Sequence, residues 1–140
     1  MKEANQEKLL FTPVNPDSDA IPIIFAFPNE YSVGITSLGY QLIWANLVSR
    51  RDVQVSRLFT DTQEGLPSHP ELLGFSFSWE LDYVNILNLL EKLQLPIDSQ
   101  ERDHNHPLIF GGGPVLTANP EPFALFFDLI LLGDGEDLLG

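Results

Sequence analysis

"LLGFSFSWELDYVNILNLLEKLQLPIDSQERDHNHPLIFGGG", Leu72 to Gly113, is the stretch on which the fold turns. Leu72 to Ser78 is a short apolar run, the pattern of a strand buried on both faces. Behind it, Leu81, Val84 and Leu87, with Ile86, Leu90 and Leu93, recur at helical spacing until Pro96. Asp98 to Pro107 is charged and reads as a surface loop, and "PLIFGGG" opens another strand. Strand, helix and strand over a span too long for a hairpin make a crossover. Such crossovers are right-handed and join parallel strands.

The flanking sequence repeats the theme. Ile21 to Pro28 is a second buried strand, and Tyr31 to Arg50 carries Ile35, Leu38, Leu42 and Ala45 at helical spacing. Val53 to Thr60 alternates like a strand, with Val53, Val55 and Arg57 on one side, and Asp61 to Pro70 is a polar loop. "NPEPFALFF" predicts one short helix with Pro120 or Pro122 near its start, where a missing N–H costs nothing. "FFDLILLGDGE" holds a fifth strand. The pattern predicts an α/β fold: a doubly wound, flavodoxin- or Rossmann-like, mostly parallel five-stranded sheet covered on both faces. Residues 20–140 form this single domain, and residues 1–19 precede it as a polar, Pro-interrupted tail or docking arm.

Composition narrows the function. Twenty acidic against seven basic residues give a net charge of −13, which argues against a nucleic-acid partner. Arg50 and Arg51 read as partners of a helix C-terminus. With no cysteine, the chain itself holds no disulfide, thiolate nucleophile, zinc-thiolate site or iron–sulfur cluster. No apolar run approaches the ~20 residues that span a bilayer, so we expect a cytoplasmic protein without a membrane partner.

In a doubly wound sheet, ligands bind outside the carboxyl ends of the strands. Those ends carry Asn29, Tyr31 and Gly34 after the first strand, and Ser76, Ser78 and Trp79 at the third. Gly111, Gly112, Gly113 and Thr117 follow the fourth, and Gly133, Gly135 and Glu136 the fifth. Three consecutive glycines either admit another surface close to the main chain or form a tight turn before Pro114. A dinucleotide fingerprint is absent: the first loop has only Gly34, and "GDGEDLLG" has Leu138 where a third glycine belongs. No G-x-x-x-x-G-K occurs and no lysine follows Lys92, which disfavours a phosphate site. "DHNH", Asp103 to His106, is read as exposed loop histidines in preference to a zinc site. Glu80, Asp82 and Asp128 are bases without a recognisable nucleophile, Ser78 reads as a helix cap, and we assign no catalytic or metal-ligating residue.

With these loops placed, a family likeness emerges. "IIFAFPNEYSVGITSLGYQLIWANL", "GFSFSWELDYVNILNLL" and "PLIFGGGPVLTANPEPFALFFDLILLGDGE" together resemble the N-terminal, cobalamin-binding-like domain of radical SAM proteins. The resemblance implies a flavodoxin-like sheet and a radical SAM barrel downstream in the same chain, holding a [4Fe-4S] cluster and S-adenosylmethionine. The chain ends in what reads as the opening of another helix, as expected of a piece of that longer protein. Cobalamin domains that ligate cobalt through histidine use D-x-H-x-x-G after the first strand; here Asn29, Tyr31 and Gly34 hold those positions. A phenol is a poor substitute for an imidazole as a metal ligand at neutral pH. Three readings follow. The domain is an accessory scaffold that positions or covers the barrel's active site, with Tyr31 a packing or hydrogen-bonding residue. Alternatively it binds cobalamin without a protein ligand, the nucleotide tail along Gly111–Gly113 and facing Tyr31 and Trp79. The third is a stand-alone acidic interaction domain, supported only by the charge.

Overall fold

β3 (Leu72–Ser76) and β4 (Leu108–Gly112) pair in parallel, with Leu73 beside Ile109 and Phe75 beside Gly111, so the decisive crossover is present. The computed structural model describes residues 7–133. Its remaining strands are β1 (Ile21–Ala26), β2 (Val53–Leu58) and β5 (Leu129–Ile130), all parallel in the order β2-β1-β3-β4-β5. The chain moves one way from β1 to β2 and the other way from β3 to β5, so the order reverses between β1 and β3. That is the place where such sheets open a crevice.

Period-two alternation sends the strand side chains into two cores. On one face Ile23 and Phe25 of β1 and Val53 of β2 meet Tyr40 and Leu47 of helix α2 (Leu38–Val48). On the other, Ile24, Leu73, Phe75 and Ile109 meet Ile86, Leu89 and Leu90 of α3 (Tyr83–Lys92). Each fully buried side chain of this size contributes roughly 1.5–3 kcal/mol. Tyr40 is the hinge of the first core: its ring stacks on Phe25, centroids 4.5 Å apart, and its hydroxyl donates to the Phe25 carbonyl at 2.8 Å. Burial pushes that phenol well above its ordinary pKa, so it stays a donor.

Several local expectations are corrected. The segment Tyr31–Arg50 is two helices, a single turn α1 (Tyr31–Gly34) and then α2, which Ser37 caps by accepting from the Tyr40 N–H. Apolar residues ring α2, so spacing alone selects no face; Leu38 and Leu42 point outward while Tyr40 and Leu47 go into the core. Leu81 lies in a 3-10 turn, Glu80–Asp82, and is 83% exposed, with Val84 also outside. Ser78 caps nothing: extended Trp79 precedes that turn, Asp82 precedes α3, and neither start has a side-chain cap. Pro114 opens a helix the sequence hid, α4 (Pro114–Ala118), while Pro122 sits in the first turn of a 3-10 stretch, Glu121–Phe126, as expected. Coverage of the sheet also departs from expectation. Among the described residues no helix lies over β4 and β5 on the α2 side, where Leu108 and Leu129 are exposed.

The described part of the N-terminal arm lies along the domain. Val14 N–H donates to the Val48 carbonyl and Asp17 N–H to that of Arg51, while Phe11 packs edge-on against Trp44. Glu7 reaches the buried Arg57 guanidinium at 2.8 Å, Glu64 holds it at 3.2 Å, and the Trp44 ring lies under it, 4.3 Å from its centroid. Burial works against the guanidinium's charge, but the hydrogen bonds to Glu7 and Glu64 outweigh it and raise the pKa. The cation in β2 is thus spent internally. Arg50, at the helix end, pairs with Asp52.

Candidate functional site

At the carboxyl ends of β1, β3 and β4 a cleft of about 660 Å³ opens between the sheet and the start of α2. Gly74 makes its floor possible. A side chain there would collide with the Phe110 ring, which lies across the bare backbone of β3. Phe25, Phe110 and Leu131 supply apolar walls, Leu38 and Leu42 the α2 side, and Ser76, Ser78 and Thr117 the hydroxyls. Apolar walls with a few polar groups are the usual make-up of a small-molecule site.

The three glycines after β4 have three different causes. At Gly111 a Cβ would meet the Leu116 and Phe127 side chains at 2.7 Å, so this glycine serves the core. Gly113 has φ +111°, and a Cβ would fall 2.6 Å from the Phe77 carbonyl oxygen. The neighbouring hydrogen bonds, Phe77 N–H to Gly112 O at 2.8 Å and Val115 N–H to Phe77 O at 3.3 Å, fix that close approach. Gly112 faces the cleft, its nearest outside atom the Leu131 oxygen at 3.6 Å. Thr117 Oγ1 accepts from Gly133 N–H at 3.2 Å and so ties α4 to the exit of β5.

Ser76, Ser78, Gly112, Gly113, Thr117 and Gly133 therefore share one cleft. Asn29, Tyr31, Gly34, Trp79 and Gly111 do not line it, and Gly135 and Glu136 lie outside the described residues. Tyr31 is buried edge-on against Phe59, its hydroxyl hydrogen-bonded to Glu7 and its N–H to Asp61 at 2.9 Å. Gly34 lets the Phe59 and Phe27 rings close on the first loop. Asn29 donates to Asp82 at 3.1 Å, and Asn85 to the Pro28 carbonyl at 2.9 Å, pinning that loop to the start of α3. Burial raises the Asp82 pKa, and the Asn29 hydrogen bond opposes the shift. Trp79, 61% exposed, stands on the same edge outside the cleft.

Residues the sequence reading missed are the apolar liners, Phe110, Leu131, Leu38 and Leu42. The available signal was Gly74, since a glycine inside a strand marks a close approach. His106 Nδ1 accepts from the Asp103 N–H at 3.0 Å, Asp128 accepts from Arg102 and from the Ile109 N–H, and no metal-holding cluster exists among the described residues.

A parallel sheet in this order, with a cleft at its switch point, defines the chain as a doubly wound, flavodoxin-like α/β domain. The family model described as "Radical SAM proteins, N-terminal" matches residues 49–140, and the chain belongs to that family. It is similar to an uncharacterised protein of Methanocaldococcus jannaschii, 23% identical over 119 residues that make up 84% of this chain. The chain spans 25% of the length of that relative. No solved structure matches it.

Proposed function

We propose that this chain is an accessory domain of a radical SAM enzyme, and that its carboxyl edge is the side presented to the segment holding the [4Fe-4S] cluster and S-adenosylmethionine. The observation that carries the reading is the apolar rim of that edge: Leu38, Trp79, Leu81 and Leu132 all stand exposed around it. Large side chains gathered on one edge and open to water mark a contact surface. The opposite edge exposes its large apolar side chains less, Ile21, Ile97 and Leu108 at 38–43%, and its hollow mixes Leu66, Leu93 and Leu95 with His69, Glu71, His104 and His106. In this reading the cleft and rim together cover the reacting cofactors and exclude water from them.

The test is made in the whole protein, loaded with its cluster. Trp79→Asp and Leu81→Asp leave this domain's core untouched, because both side chains are already in solvent here. Release of 5′-deoxyadenosine should fall at least tenfold while cluster content and far-ultraviolet circular dichroism stay unchanged. Undiminished release from both variants would contradict the reading.

A corrinoid bound without a protein ligand is the second reading, favoured by one observation. The cleft walls, apolar with the Ser76, Ser78 and Thr117 hydroxyls, suit the flat nucleotide tail of a cobalamin, and Gly112 leaves it room. The cobalt-ligating position does not fit, because Tyr31 is packed inside and already bonded to Glu7. Gel filtration with hydroxocobalamin separates the readings: a scaffold elutes colourless, and stoichiometric co-elution would establish the corrinoid.

A further inference from the structure

The buried Arg57 guanidinium is gripped by two carboxylates of unlike standing. Glu64 is its built-in partner. Glu64 Oε1 accepts from the Arg57 backbone N–H at 2.8 Å and Oε2 from Nη2 at 3.2 Å, while the Glu64 N–H donates to the Arg57 carbonyl at 3.0 Å. Glu7 comes instead from the arm, 50 residues away in sequence. It accepts from both Nη1, at 2.8 Å, and Nη2, at 3.1 Å, and takes a further hydrogen bond from the Tyr31 hydroxyl. A planar fork facing both oxygens is among the strongest ways a side chain recognises a carboxylate.

Each donor that meets the Glu7 carboxylate is held in place by the domain itself. Glu64 fixes the guanidinium from the other side, and the Trp44 ring lies under it. Tyr31 is set by the Phe59 ring at 5.1 Å and by Asp61 at its N–H. The receptor is therefore organised before any carboxylate arrives. The arm is held differently. Backbone bonds tie it at Val14 and Asp17, but residues 8–13, between that tie and Glu7, are all exposed, Leu10 wholly so. Glu7 also fits incompletely, since Arg57 Nε stays buried without a hydrogen-bond partner, and an orphaned donor weakens the arrangement that leaves it so.

We propose that Arg57, Tyr31 and Trp44 form a carboxylate-binding site, and that Glu7 is its plug, supplied in cis. The ligand class is a small acid with an apolar body. Its carboxylate takes the Arg57 fork and the Tyr31 hydroxyl, and its body takes the Trp44 face against which Phe11 now packs. The arm admits it by swinging about Val14. A plug on so short a tether acts at an effective concentration on the order of millimolar, and so lowers the apparent affinity of any free acid. Tyr31 opens α1, directly behind the first strand, so the acid that displaces Glu7 also takes over its hold on that loop. This inference stands apart from the radical SAM reading, because none of the three residues lines the cleft.

The test titrates 3-phenylpropanoate into the whole protein by isothermal calorimetry, with 3-phenylpropanamide as the uncharged control. Glu7→Ala should bind the acid at least tenfold more tightly than the parent. Deletion of residues 1–12 should bind it more tightly still, because Phe11 then leaves Trp44 as well. Both changes spare the ties at Val14 and Asp17, and they open the site independently, so the comparison survives a folding defect in either. Adding Tyr31→Phe to Glu7→Ala keeps the ring against Phe59 and should weaken the acid at least threefold. The amide should bind none of them. Equal affinity of the parent and both opened variants, or of acid and amide, would overturn the proposal and leave Glu7 a structural partner of Arg57 only.

Discussion

Gly112 and Gly113 are neighbours in sequence with unlike physical duties. Gly113→Ala places a Cβ against the Phe77 carbonyl at a φ that L-residues rarely adopt. It should cost about 3 kcal/mol in urea unfolding. Gly112→Ala, whose Cβ would meet only ordinary van der Waals contacts with Leu131, should stay within ~0.5 kcal/mol. Arg57 gives a second prediction. Arg57→Met strands two carboxylates, Glu7 and Glu64, beside an apolar ring and should cost about 3 kcal/mol, part of it recovered by adding Glu7→Gln. Asp82 gives a third, in pH. Its folded pKa is raised, so its stabilising share is complete below the unfolded value of about 3.9 and is lost as pH climbs through the folded value. Asp82→Asn keeps an acceptor for Asn29 and removes that loss. Its stability relative to the parent should therefore improve between pH 4 and pH 7 in parallel urea titrations.

Elements were legible wherever pattern and burial agree. The five strands and their parallel sense follow from short apolar runs separated by crossover-length connections, while their order β2-β1-β3-β4-β5 comes from the structure. Which helix face enters the core was not legible. In α2 apolar residues surround the axis, and the deciding contact is the long-range bond from Tyr40 to the Phe25 carbonyl. In the α3 region the apparent stripe fails twice: the helix begins at Tyr83, which leaves Leu81 in a tighter turn, and it turns Ile86, Leu89 and Leu90 inward, which leaves Val84 outside. Leu90→Ala should accordingly cost about 3 kcal/mol and Leu81→Ala less than ~0.5 kcal/mol in the same unfolding assay. The candidate site divides in the same way. Hydroxyls and glycines at strand ends were readable because topology gathers strand ends. Tyr31 was not, because its partners Phe59, Asp61 and Glu7 come from other segments. The cleft's apolar liners escaped notice because Phe110 and Leu131 look like ordinary core residues until Gly74 and the bare face are seen together.

At the scale of the molecule, one edge concentrates the unusual features. The cleft, the glycine turn and the exposed rim through Trp79 and Leu81 all lie at the carboxyl ends of the strands. The N-terminal arm, by contrast, is tied back through Glu7 and Arg57, on β2. Under the proposed function, a domain built this way meets its partner segment edge-on. Hydroxyl-radical footprinting of Trp79 in the whole, cluster-loaded protein tests this most directly. Burial of the rim against the radical SAM segment predicts oxidation at least fivefold slower than in the denatured protein. Oxidation at nearly the denatured rate would mean that Trp79 stays in water, and that the carboxyl edge is not the contact.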